Sequence, residues 1–199
     1  MPLNLSSWAS DPGNVRLSLR KLKRLCPEIY GIGGLVWTMY YLAVHKDIPS
    51  WNMETILKKG DSRAAVVVRT SPLLVAAYTD ELDCVALLKF DDALTDEYGL
   101  SIGSRLLSVN IYTPRTLGFF VQRDLIPGPY DSKQFGNFQP FIADFLSDDA
   151  DRISERKASI GEEEWTRTLE LGEQYLTARL GMARDGKPTR SEKTARKRY

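Results

Sequence analysis

Histidine and cysteine are scarce in this chain, with one of the first, His45, and two of the second, Cys26 and Cys84. A tetrahedral zinc site built from Cys and His ligands cannot be assembled from three such scattered side chains. A disulfide framework needs more cysteines in a shorter chain. Both cysteines lie in apolar surroundings, so we expect reduced core thiols. Imidazole chemistry has His45 as its single candidate, and a lone histidine at the end of an apolar segment reads as structural.

Long apolar runs are missing as well. The most apolar stretch, residues 35–44, is half the ~20 residues that a membrane-spanning helix requires. The opening residues lack a positive segment followed by an apolar one. We therefore expect a cytoplasmic protein that neither crosses nor binds a membrane.

What is present is an ordinary globular composition, 43% hydrophobic and 10% aromatic over 199 residues. That is enough for a core without metals or disulfides, in one domain of common size. We expect a single globular α+β domain over 1–182, opening on an irregular arm (1–13), and a basic disordered tail over 183–199. The net charge of +1 conceals an uneven distribution. Residues 14–26 carry +5 from Arg16, Arg20, Lys21, Lys23 and Arg24. Residues 183–199 carry another +5, from Arg184, Lys187, Arg190, Lys193, Arg196, Lys197 and Arg198 less two acids, which leaves −9 elsewhere. Basic ends on an acidic body are the one compositional feature with functional content.

Along the chain, Val15, Leu19, Leu22 and Cys26 form one stripe of a helix over 14–26, capped by Asn14 and stopped by Pro27, with the basic residues on the other face. Residues 35–44 fit a buried helix or a central strand equally. A second helix is expected over 51–59, with Ser50 as its N-cap and Gly60 as its stop. Five short runs rich in Val, Leu, Phe and Tyr follow at 64–69, 73–79, 84–90, 105–112 and 117–122, separated by turn residues. Their close spacing suits antiparallel hairpins. The expectation is a meander of four or five strands with N- and C-terminal helices on one face. Residues 127–140 read as an irregular loop whose Tyr130, Phe135 and Phe138 are candidate binding residues. Ser159 and Glu162 have capping-box spacing before a last helix with the stripe Trp165, Leu169, Gly172, Leu176 and Leu180.

Several motifs fail on context. Gly99-Leu100-Ser101-Ile102-Gly103 matches the nucleophile elbow, but an acidic loop precedes it, a strand follows, and no histidine comes later in the chain. It reads as a turn. Gly31-Ile32-Gly33-Gly34 lacks the strand that a dinucleotide fingerprint needs. No cofactor is implied. Asp91, Asp92, Asp96 and Glu97, and separately Asp148, Asp149 and Asp151, are carboxylate clusters that suit a divalent ion without matching a calcium loop. Asp131-Ser132-Lys133 has half the spacing of a metal-nuclease site.

The basic segments suit phosphate neutralisation, which needs charge but no fixed geometry. The expected function is a binding or adaptor domain whose basic termini contact nucleic acid or an acidic protein face. One alternative is a small carboxylate- and metal-dependent enzyme in which several of Asp80, Asp83, Asp91, Asp92 and Asp131 converge. Another is an immunity- or antitoxin-type module that uses the acidic surface.

Overall fold

A computed structural model describes residues 9–27, 49–114, 124–125, 135–178 and 182–188. Residues 35–44, His45, the expected strand at 117–122, Tyr130, the Asp131-Ser132-Lys133 triplet and the tail from 189 onward lie outside them.

The fold is mixed α+β around one sheet. Its strands are β1 (Asp61–Thr70), β2 (Leu73–Thr79), β3 (Cys84–Lys89), β4 (Arg105–Pro114), β5 (Phe135–Ile142) and β6 (Arg184–Asp185). The described helices are α1 (Leu19–Leu25), α2 (Pro49–Lys59), α3 (Ala93–Glu97), α4 (Ala150–Ser159) and α5 (Glu162–Ala178). β1, β2 and β3 are the expected consecutive antiparallel strands, but the meander ends there. The order is β5-β4-β1-β2-β3-β6, so β4 returns to pair with β1, and β6 joins β3 in parallel. The Gly99–Gly103 segment makes that return possible. Both glycines have positive φ, and Gly103 N–H bonds to the Val67 carbonyl at 2.8 Å, turning the chain straight into β4.

The central strands are buried on both sides, which the sequence shows as near-continuous apolar runs rather than alternation. Ala64, Val66 and Val68 group with Trp165, Leu171 and Tyr175 of α5. Ala65 and Val67 group instead with Leu22 and Leu25 of α1 and Met53, Ile56 and Leu57 of α2. The terminal helices therefore divide between the two sides of β1 instead of sharing one face.

The sheet also curls. Asn110 reaches over the start of β1 to donate to the Tyr78 carbonyl at 2.8 Å, and the Thr79 hydroxyl donates to Tyr112 at 3.0 Å. Leu82, Cys84 and Ala86 consequently meet Tyr112, Phe135 and Phe138 from the far side of the sheet.

Local elements differ from expectation for identifiable reasons. α1 starts at Leu19 because Asn14 sits at φ 51°, outside the helical region, and Ser18 is the cap. α2 begins at Pro49, so Ser50 lies inside its first turn. Gly60 follows it at a crossing too tight for a side chain, since a Cβ there would lie 2.6 Å from Val109 Cγ1 and 2.9 Å from the Asn110 carbonyl. Ser159 ends α4 and donates to the Arg156 carbonyl, so the capping box does not form, and Glu162 pairs with Arg105 instead.

Two segments that read as irregular are strands. Phe135–Ile142 pairs along β4, and Arg184–Asp185 pairs with Leu88 and Lys89. Arg184 and Asp185, at the start of the expected tail, thus belong to the sheet.

Candidate anion-binding surface

The basic N-terminal segment is positioned by a short helix with a defined start. The Ser18 hydroxyl accepts from the Lys21 N–H at 3.3 Å, satisfying one of the free amides of α1. Leu22 and Leu25 then face the core, and Arg20, Lys23 and Arg24 face solvent, with Arg16 exposed just ahead of the helix.

Lys21 leaves this set. Its Nζ donates to the Asp144 and Ser147 carbonyls at 2.8 and 2.6 Å and lies 5.2 Å over the Tyr98 ring, so it ties α1 to the turn after β5. Four cations remain on one exposed edge. Arg16 and Lys23 have no ion-pair partner among the described residues. Arg20 reaches Asp148 at 2.9 Å and Arg24 reaches Glu97 at 2.6 Å. Asp148 also accepts from the Ser18 hydroxyl at 2.5 Å. That bond first, and then Arg20, holds its carboxyl below the usual carboxylate range.

Beside Arg16 lies an open groove of about 700 Å³, lined by both basic and acidic side chains: Arg16 and Arg152, with Asp148, Asp149, Asp151 and Glu155. Asp149 caps α4 through the Arg152 N–H at 3.4 Å.

The remaining predicted site residues go elsewhere. Arg184 lies in β6 with a side chain only 9% exposed. Its guanidinium bonds to both carboxylate oxygens of Asp124, to the Phe138 carbonyl at 2.6 Å and to Asn137 Oδ1 at 3.0 Å. This clamp joins β6 to β5, the two outer strands of the sheet, and is unsuited to meeting a partner in solvent. Lys187 is half-buried near the end of the described residues. Arg190, Lys193, Arg196, Lys197 and Arg198 lie outside them. Phe135 and Phe138 are core residues of β5, packed with Cys84 and Leu125, so they are not presented as a binding loop. Gly136 and Pro140, interspersed among Phe135, Phe138 and Phe141, give this strand the composition of a loop.

Among the described residues the carboxylates considered for an enzyme are tied up in separate contacts, and Asp131 lies outside them. Asp80 pairs with Arg63 at 2.7 Å, Asp83 with Arg167 at 2.9 Å, and Asp92 accepts from the Leu73 N–H at 2.8 Å. Among the described residues no three His, Cys, Asp or Glu side chains are grouped to hold a metal ion.

Among the described residues a dense polar cluster surrounds Arg63 at the start of β1, and no local pattern in the sequence marks it. Arg63 lies near Asp61, Asp80 and Asp11 at 2.9, 2.7 and 3.6 Å. Tyr112 donates to Asp61 at 3.0 Å and the Asp11 N–H donates to the same carboxylate at 3.3 Å. Burial raises the Asp61 pKa despite Arg63 and Tyr112. Burial also opposes the Arg63 charge, but Asp61 and Asp80 outweigh it and raise its pKa. Arg63 Nη2 also donates to Ser10 Oγ at 3.2 Å, while Nε faces Asp61 without a hydrogen bond, so the charges offset one another beneath the N-terminal segment in the manner of a structural network.

Comparison with protein-family models, with curated proteins and with solved structures finds no match, so the exposed edge of α1 stands as the candidate site on its geometry alone.

Proposed function

We propose that this protein is a binding module whose α1 edge contacts an anionic partner, with nucleic-acid phosphates as the first candidate. The supporting observation is the set of solvent-exposed cations Arg16, Arg20, Lys23 and Arg24, two of which have no ion-pair partner among the described residues. Exposed ion pairs such as Arg20–Asp148 are worth ~0–1 kcal/mol, so they present little barrier to a phosphate. Basic residues from 190 onward would add to the same attraction.

The test is anisotropy of a labelled DNA duplex at two salt concentrations. The proteins are the full chain, a chain ending at Pro188, which keeps Arg184 in the sheet, and the R16A/K23A variant. Binding should be salt-sensitive, and R16A/K23A should lower the log–log salt slope by about 0.9 for each phosphate that it no longer neutralises. Absence of binding at low salt, or an unchanged slope in R16A/K23A, would refute the proposal for DNA. Competition by polyglutamate but not by duplex would assign the edge to an acidic protein face instead.

A further inference from the structure

Two of the four cations on this edge already hold a carboxylate where a partner's anion would bind, and the two carboxylates come from distant parts of the chain. Asp148 precedes α4 and is 128 residues from Arg20. Glu97 ends α3 and bonds to Arg24 Nη1 at 2.6 Å. Asp148 is further fixed by the Ser18 hydroxyl and lies 3.8 Å from Lys21, so its carboxylate is aimed along the start of α1. Neither acid is needed to fill the core. Their side chains are 48% and 24% exposed, and those of their arginines 79% and 64%.

We infer that Asp148 and Glu97 act as built-in competitors of the anionic partner, occupying Arg20 and Arg24 in the free protein and setting the affinity of the α1 edge. This rests on the reading of that edge as an anion-binding surface. A phosphate arriving at Arg20 displaces the Asp148 carboxylate and experiences its repulsion. The same holds at Arg24 with Glu97. Binding therefore involves exchange of two ion pairs rather than simple addition to four free cations. Neutralising either acid frees one arginine and removes one repulsive charge. Each substitution should tighten binding roughly 1.4- to fivefold, which is the ~0.2–1 kcal/mol of an exposed pair converted at room temperature.

The experiment measures a labelled duplex against the full-length parent, Asp148→Asn, Glu97→Gln, the double variant and R16A/K23A. Asp148→Asn keeps a side-chain oxygen to accept from Ser18, and Glu97→Gln perturbs a different element, so a folding defect in one variant leaves the other informative. Circular dichroism checks both. Tighter binding by each single variant, with about tenfold in the double variant, supports the inference. If the parent binds and R16A/K23A abolishes binding while D148N and E97Q change nothing or weaken it, the competitor role is overturned and the binding surface survives. If no variant binds duplex at low salt, both are overturned for nucleic acid.

Discussion

Replacing Arg184 by alanine should destabilise the protein severely, although the sequence places this residue in a basic, polar tail. The guanidinium makes bonds to Asp124, Asn137 and the Phe138 carbonyl, and lies 5.8 Å over the Phe138 ring. Its side chain is 9% exposed and that of Asp124 is 22% exposed. Removing one member of such a pair leaves a desolvated charge without its partner, at a cost of about 3–5 kcal/mol. For a chain of this size each kcal/mol lowers Tm by about 2–4 °C, so the drop should be about 6–20 °C. Lysine should recover little of it, because an ammonium cannot reproduce the planar fork that holds both oxygens of Asp124. Removing both charges together, as Arg184→Met with Asp124→Leu, should recover much of the loss. Thermal melts and urea titrations of the parent and these three variants measure this directly. An Arg184→Ala variant melting within about 2 °C of the parent would refute the clamp between the outer strands, since even ~1 kcal/mol should shift Tm that far.

Glu164 gives a signed pH dependence. Burial raises its pKa although it accepts from the Ala64 N–H at 2.6 Å. With the folded value above the unfolded one, its stabilising contribution is complete below the unfolded carboxylate range and is lost as pH rises through the folded value. Glu164→Gln keeps an acceptor for Ala64 and should gain stability relative to the parent as pH rises above the unfolded carboxylate range; a difference that stays constant with pH would contradict this. Asp83, held low first by its bond from Arg167, acts in the opposite sense, and its contribution is lost as pH falls. Cys84 is buried and its thiol is pushed up to about 12 by that burial, so iodoacetamide at pH 8 should label it only after unfolding. Mass spectrometry showing native-state alkylation of Cys84 would overturn that placement.

The features legible in the sequence are those specified by neighbouring residues. β2 is legible to the residue, and β1, β3 and β4 to within a few at each end, because apolar runs between turn residues are local signals. The burial of both cysteines is also legible, as is the turn at Gly99 and Gly103. β5 is not, because Gly136 and Pro140 disguise a strand whose pairing with β4 is made at a distance. Helix α4 escapes a reading by apolar stripe because its sequence is mostly charged and only Ile153 is buried.

Composition alone brings out the five basic residues near the N-terminus. Only the tertiary structure divides them, by holding Lys21 against carbonyls, pairing Arg20 and Arg24 with acids from α3 and the start of α4, and leaving Arg16 and Lys23 exposed. The same folding withdraws Arg184 from solvent into a clamp. The physical reason is that a charge is set by its own side chain, whereas its counter-charge and its burial are set by where distant segments of the chain come to rest.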